Sequence, residues 1–135
     1  MKVAIYSRVF EAEQQQDIQT LLNRLHEKSI VPVLYESFYQ QIKHLVQFPS
    51  DPVLFHSSDE LDDSFECMIS LGGDGTLLDT VTLIHNKSIP LLGINFGRLG
   101  FLASIGREEL ETVVAALVNH TFVKDERTLI HLDSN

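Results

Sequence analysis

The chain has 135 residues, a formal net charge of −9 at pH 7, and 44% hydrophobic residues. This length and apolar content suffice for about one globular domain with a single core. The acidic charge argues against binding to nucleic acid or to an anionic membrane, because both require a basic surface. No segment reaches the roughly 18 uncharged apolar residues of a membrane span, and the start MKVAIYSRVF lacks the apolar region of a signal peptide. We therefore expect a cytoplasmic protein.

The first half of the chain shows two strand patterns, each followed by a helical one. KVAIYS at 2–7 predicts a buried strand, and residues 11–28 repeat apolar side chains at helical spacing. IVPVLYE at 30–36 predicts a second strand, in which Pro32 marks the start of the strand or an edge of the sheet. Apolar residues over 38–46 then indicate a second helix.

The second half repeats this alternation after a polar, acidic segment, HSSDELDDS at 56–64, which predicts a solvated loop or a short helical turn. CMISL at 67–71 predicts a third strand that runs into a glycine-rich loop, and apolar residues over 77–84 indicate that the loop opens onto a helix. IPLLGIN at 89–95 predicts a fourth strand, and a last amphipathic helix covers 110–117.

Strands that alternate with helices predict an α/β fold of three layers, in which a mostly parallel sheet is flanked by helices. Ligands of such folds gather at the carboxyl ends of the strands. The glycine-bearing loops after the third and fourth predicted strands are therefore expected to line one cleft. The final segment, from 122 onward, departs from the alternation, which indicates that it crosses to another domain of a longer protein.

Side chains that commonly bind metals form no recognisable set in the sequence. The six histidines are scattered without an H-x-x-x-H pair, and the single Cys67 excludes an internal disulfide and a thiolate zinc cluster. Cys67 opens a strand pattern, and we interpret it as a small buried hydrophobic residue rather than a nucleophile. The acidic residues of 56–64 are interpreted as a solvated loop rather than a metal site.

The most informative stretch is SLGGDGTLLDT at 70–80. A strand, a tight glycine turn and a helix N-terminus together present backbone N–H groups to an anion, and the helix dipole adds to the attraction. Gly72, Gly73 and Gly75 allow a ligand to approach the backbone closely. The stretch has neither the lysine of a Walker A loop nor the G-x-G-x-x-G spacing of a dinucleotide-binding loop.

Asp74 stands among these glycines, although a carboxylate repels a phosphate. It can bind Mg²⁺ carried by a nucleotide, or accept a hydrogen bond from a sugar hydroxyl and take its proton during phosphoryl transfer. The alternative is that Asp74 only caps the helix. Thr76 is open to two similar interpretations, as a cap or as a ligand contact.

GGDGT at 72–76 together with NFGRLGFL at 95–102 resembles the NAD kinase family, and the resemblance covers most of residues 1–132. Diacylglycerol and sphingosine kinases also carry the first motif, but the pair at this spacing, with GIN before the second motif, is more specific. The resemblance implies the Rossmann-like N-terminal domain of an enzyme that phosphorylates the 2′-hydroxyl of the adenosine ribose of NAD to give NADP. It also implies ATP, another nucleoside triphosphate or polyphosphate as the phosphoryl donor, with a divalent metal such as Mg²⁺.

The resemblance gives roles to the residues of the first motif. Asp74 matches the general base that orients and deprotonates the NAD hydroxyl. Gly75 matches a close backbone contact to the ligand, while Gly72, Gly73 and Thr76 shape the loop and border the nucleotide.

The second motif supplies further contacts by the same resemblance. Phe101 matches a ring that lies against bound NAD, with a core position as the alternative, and Leu102 matches a neighbouring contact. Asn95 and Gly97 are expected to fix the loop. Arg98 is interpreted either as a phosphate contact or as a solvated loop residue.

Two features depart from the family pattern. Some members carry a basic residue where this chain has Asp79, which we expect to be an exposed helix residue without a phosphate contact. The Asn-Glu pair that grips NAD in the family's β-rich C-terminal domain has no match, whereas ERTLIHL at 126–132 matches the start of that domain. We therefore expect an α/β domain over 1–121, followed over 122–135 by the crossover and first strand of a domain that is otherwise missing.

The family assembles as homodimers or homotetramers in which a neighbouring subunit completes the NAD site, so the resemblance implies that this chain alone binds NAD weakly and is nearly inactive. Two alternatives stay open. A lipid kinase of the diacylglycerol or sphingosine type shares the first motif, but the second loop lacks the Pro-x-Gly-Thr pattern of those kinases. The other alternative is a non-catalytic nucleotide-binding α/β domain.

Overall fold

A parallel sheet forms the centre of the computed structural model, which describes residues 1–8, 10–84, 87–96, 105–121, 123–124 and 130–131. Its strands in chain order are β1 (Lys2–Tyr6), β2 (Val31–Tyr35), β3 (Val53–Phe55), β4 (Phe65–Leu71) and β5 (Leu91–Ile94). They are neighbours in the order β3-β2-β1-β4-β5, and all four pairings are parallel. The predicted parallel sheet is confirmed.

Helices cover both faces of this sheet. They are α1 (Gln15–Glu27), α2 (Glu36–Ile42), α3 (Asp74–Ile84) and α4 (Leu110–Asn119). Buried side chains of α1 and α4 belong to one apolar cluster, and those of α3 belong to a second. The three-layer α/β architecture predicted from the alternation of strands and helices is therefore confirmed.

Strand β4, which lies between β1 and β5, contributes side chains to both apolar clusters. Cys67, Ile69 and Leu71 belong to the cluster that contains α1 and α4, whereas Met68 belongs to the cluster that contains α3. Successive side chains of a strand point to opposite faces, and a strand covered on both faces is apolar throughout. Burial of each large aliphatic side chain stabilises the fold by about 1.5–3 kcal/mol, so this strand anchors the residues that follow it.

The observed elements differ from the predicted ones mainly at their ends. The helix predicted over 11–28 begins with a 3-10 turn at Ala12–Gln14 before α1, and α2 ends at Ile42, although the turn after it still buries Val46. Strand β3 is missing from the prediction because its three residues are too few to show an alternation. Pro32 lies near the start of β2, before the first residue of β2 that pairs with β3, as a residue without an N–H requires.

Beyond α4 the described residues contain a separate pair of short antiparallel strands, β6 (Val123–Lys124) and β7 (Ile130–His131). The strand predicted within 122–135 thus corresponds to β7, which pairs with β6. That residues 122–135 open a further domain stays a prediction. In the described part of the chain, no helix has both the length and the apolar character that crossing a membrane requires.

Candidate functional site

The strand order predicts a ligand-binding crevice between β1 and β4. Strands β2 and β3 are added on one side of β1, whereas β4 and β5 are added on its other side. The point where the direction of strand addition reverses is where open parallel sheets bind ligands, outside the carboxyl ends of the strands. Arg8 follows the end of β1 and Gly72 follows the end of β4, so both belong to this edge.

Gly72 makes the sharp turn out of β4. Its φ of 147° lies in the region that only glycine adopts readily, and its N–H donates a 2.9 Å hydrogen bond to the carbonyl of Ile94 at the end of β5. A Cβ at this position would lie 2.5 Å from Oγ1 and 2.9 Å from Cβ of Thr76. Backbone conformation and space therefore both require glycine here.

Asp74 opens helix α3, and Gly73 stands at the position before it. The Gly73 carbonyl accepts a 3.1 Å hydrogen bond from the N–H of Leu77, the first bond of the helix. Gly73 is therefore the N-cap residue, and Asp74 is the first residue of the helix proper. The interpretation of Asp74 as an N-cap does not match this position, although a negative charge in the first turn still suits the helix dipole.

The first-turn amides of α3 make the loop suitable for an anionic ligand. Backbone N–H groups at the start of an α-helix have no partner within the helix. Gly75 is exposed, so the backbone there is open to a ligand, whereas Thr76 is buried. Of the two, Gly75 fits the predicted ligand contact, and Thr76 fits the predicted role of shaping the loop.

The second predicted loop begins against the first. Asn95, only 8% exposed, has its Nδ2 atom 3.7 Å from where a Cβ of Gly73 would lie. Its N–H donates a 2.8 Å hydrogen bond to the carbonyl of Ile105, which fits the expectation that Asn95 fixes the loop. Four other predicted residues of this loop, Gly97, Arg98, Phe101 and Leu102, lie outside the described residues.

Asp79 lies in α3, as the sequence predicts, but it is half-buried and paired rather than exposed. Its side chain is 33% exposed and lies 2.6 Å from Nε of Arg8. Nη2 of Arg8 donates to the other carboxylate oxygen at 2.8 Å, and the Tyr6 hydroxyl donates to Oδ2 at 3.2 Å. The prediction was wrong because helical spacing alone shows nothing of β1, whose end supplies the partner.

This ion pair changes the protonation behaviour of its members. The Arg8 guanidinium holds the pKa of Asp79 below its usual value, mainly through the hydrogen bond between them. The same bond raises the pKa of Arg8, and burial, followed by the charge of Asp79, raises the pKa of Tyr6. Arg8 and Asp79 are thus both charged at neutral pH.

Other features of the chain lie away from this edge. Cys67 is fully buried within β4, and burial raises the pKa of its thiol, which supports its interpretation as a core residue. A cavity of about 260 Å³ lies at the amino end of β2, whereas Asp74 follows the carboxyl end of β4. Within the described ranges, no three His, Cys, Asp or Glu side chains are grouped to hold a metal.

Comparison with known proteins identifies the family. The family described as the ATP-NAD kinase N-terminal domain matches residues 50–122, more than half of the chain. The chain belongs to the NAD kinase family. The match includes the glycine turn and all of α3.

Relatives with the same family name cover the whole chain. The NAD kinase of Cytophaga hutchinsonii is 42% identical over 139 residues, which is 100% of this chain and 46% of the relative. The NAD kinase of Flavobacterium johnsoniae is 35% identical over 132 residues, 98% of this chain and 45% of the relative. The chain thus spans about half the length of these NAD kinases.

A solved structure shares the fold. The crystal structure of yeast NADH kinase complexed with NADH superposes with a TM-score of 0.71 at 18% identity, covering 93% of this chain and 43% of that chain. At this identity the likeness shows the fold alone. It agrees with the predicted Rossmann-like architecture of NAD kinase N-terminal domains.

Proposed function

We propose that this chain forms the half of an NAD kinase that carries the catalytic base. The observation that carries the proposal is the position of Asp74, the first residue of α3, beside a glycine turn at the reversal point of the sheet. Family membership supports NAD as the substrate. The reaction transfers a phosphoryl group to the 2′-hydroxyl of the adenosine ribose of NAD and gives NADP.

Asp74 acts on the hydroxyl rather than on the phosphate. Its carboxylate accepts a hydrogen bond from the 2′-hydroxyl and takes the proton as the oxygen bonds to the transferred phosphorus. The bond between that phosphorus and the leaving oxygen of the donor breaks in the same step. The first-turn amides of α3 and the helix dipole stabilise the negative charge of the phosphates.

The remaining predicted ligand contacts surround Asp74. Gly72, Gly73 and Thr76 shape the turn and border the nucleotide, and Gly75 offers exposed backbone to it. Phe101 and Leu102 contact NAD in the second loop. These roles come from the resemblance and stay proposals of the function.

A divalent metal is proposed to arrive with the phosphoryl donor. Mg²⁺ is commonly held by one or two carboxylates together with substrate phosphates. Asp79 is held by Arg8 and Tyr6 and Asp74 is assigned to the hydroxyl, so we propose that the ion is held mainly through the phosphates of the donor. When bound, the metal neutralises charge on the transferred phosphoryl group.

The location, the phosphoryl donor and the oligomeric state of the enzyme are also proposals. We propose a cytoplasmic kinase that uses ATP, another triphosphate or polyphosphate, and that functions as a homodimer or homotetramer in its full-length form. Neither nucleic acid nor a membrane is proposed as a partner. The chain alone is expected to bind NAD weakly.

The test uses this chain followed by the C-terminal part of the Cytophaga hutchinsonii NAD kinase that lies beyond the matched region; we call this fusion the completed chain. It is incubated with ATP and Mg²⁺, offering NAD and a diacylglycerol in parallel, and NADP is measured by an enzymatic cycling assay. We expect NADP and no phosphatidic acid. A folded completed chain that phosphorylates the lipid, or leaves NAD unchanged while the Cytophaga enzyme is active, would contradict the proposal.

A further inference from the structure

Arg8 is a cation placed at the edge of the glycine turn by a strand distant in sequence. It follows β1, the neighbour of β4 in the sheet. Its Nη2 lies 3.4 Å from the carbonyl oxygen of Gly75, and its side chain remains 53% exposed. A positive charge therefore stands beside the first turn of α3, within a chain whose formal net charge is −9.

Asp79 holds the guanidinium of Arg8 in one orientation, and the Nη1 atom lies outside this pairing. Nε and Nη2 both donate to Asp79, at 2.6 Å and 2.8 Å, a two-point arrangement that fixes the plane of the group. Nη1 donates to none of the residues that the structure describes. With the side chain 53% exposed, Nη1 is open to solvent or to a ligand.

Gly75 keeps the remaining donor accessible. A Cβ at position 75 would lie 3.3 Å from Nη1 of Arg8, so even the smallest side chain would crowd this nitrogen. The φ of Gly75 is not in the left-handed region, and the backbone conformation therefore does not demand glycine. Glycine at this position leaves both the backbone and Nη1 open to a ligand.

We propose that Arg8 is a phosphate-binding residue of this site, with Nη1 donating to a phosphate oxygen of the nucleotide and Asp79 fixing its orientation. This proposal rests on the proposed function and adds to it a cation that the glycine turn itself lacks. Arg8 is a binding residue, and Asp79 is a positioning residue that acts through it. The phosphate belongs either to the dinucleotide or to the phosphoryl donor.

The first experiment measures binding of inorganic pyrophosphate to the 135-residue chain by ¹⁵N NMR. The Arg8 Nε–H signal and the Gly75 amide are followed in the wild type, Arg8→Gln, Arg8→Lys and Asp79→Asn. A charge-assisted hydrogen bond predicts that Arg8→Gln raises the dissociation constant about tenfold or more. Arg8→Lys should recover part of the affinity because it keeps the charge.

The Asp79→Asn variant separates binding from structure. Both Arg8→Gln and Asp79→Asn break the same ion pair, so a purely structural role predicts equal effects on binding. Our proposal predicts a much smaller effect for Asp79→Asn, because the guanidinium remains. Equal weakening in both variants, or binding by Arg8→Gln that equals the wild type, would overturn it.

A second experiment identifies which phosphate is bound. In the completed chain, Arg8→Gln is expected to raise KM for NAD if Arg8 faces the dinucleotide, or KM for ATP if it faces the donor, about tenfold in either case. If Arg8→Gln kept wild-type KM values for NAD and for ATP, the role of Arg8 would be overturned. NADP formation by that variant would still leave the proposed function intact. Pyrophosphate binding through Arg8 without any NADP formation would instead contradict the proposed function alone.

Discussion

Gly72 and Thr76 fit together so closely that a methyl group on Gly72 would lie 2.5 Å from the Thr76 hydroxyl oxygen. This close approach leaves no room for a side chain at position 72. It joins two residues that the sequence marks only as parts of one motif. Gly72 is therefore the glycine of this turn that tolerates substitution least.

Gly72→Ala is therefore expected to destabilise the protein. A non-glycine residue at this φ costs about 1–3 kcal/mol, and the overlap with Thr76 adds about 1–3 kcal/mol of overpacking. Urea unfolding followed by circular dichroism would measure the loss. Gly75→Ala is the matched control, since its Cβ would meet only the flexible end of Arg8 and alanine is favoured in a helix. Equal losses in both variants would contradict this explanation.

Asp79 should make stability depend on pH in the acid range. Its folded pKa is lowered, whereas the unfolded value is near 3.9, so the folded state favours the carboxylate. The resulting stabilisation is complete above the unfolded pKa and is lost as pH falls through the lowered folded value. We expect the difference in unfolding free energy between wild type and Asp79→Asn to be largest near neutral pH and to vanish in strong acid. A difference that grew on acidification would contradict the ion pair.

Ser70 and Thr80 are buried hydroxyl residues that differ in their hydrogen bonding. The Ser70 hydroxyl, 1% exposed, has no partner among the described residues, whereas Thr80 donates 2.8 Å to the Thr76 carbonyl. Ser70→Ala should leave the free energy of unfolding unchanged or raise it, because a buried unpaired hydroxyl is costly. Thr80→Val should lower it by about 0.5–1.5 kcal/mol. The reverse order in urea unfolding would contradict these assignments.

Cys67 should be unreactive in the folded protein. It is fully buried in β4, and burial raises the pKa of its thiol, so little thiolate is present to react. We expect no reaction with Ellman's reagent under native conditions and one thiol per chain in guanidinium chloride. Rapid labelling of the native protein would show that this part of the core opens easily.

The fold could be predicted because its signals are local. The apolar runs of β1 and β4 and the helical spacing of α1 and α4 each appear in a short window, and their alternation fixes the architecture. Strand β3 could not be found in this way, because three residues between Pro52 and a polar segment carry no period. The pairing of β6 with β7 also lies beyond a local pattern.

Only part of the candidate site could be predicted from the sequence, because only part of it forms a local pattern. The glycine turn could be predicted because Gly72, Gly73 and Gly75 lie within one short motif. The pair of Arg8 and Asp79 could not, because these residues are 71 positions apart in the sequence. An Asp on a helix surface looks solvated until the neighbouring strand is known. One signal was present: a charged residue just beyond the first strand must lie at the carboxyl edge of a parallel sheet, where ligands bind.

The central claim is that Asp74 is the base for phosphorylation of NAD, and the most direct test is the rate of NADP formation by the completed chain with Asp74→Asn. Asparagine keeps the size of the side chain but cannot take the proton. We expect kcat to fall about 100-fold or more, with an unchanged circular dichroism spectrum and melting temperature. An Asp74→Asn variant that forms NADP at the wild-type rate would contradict the claim.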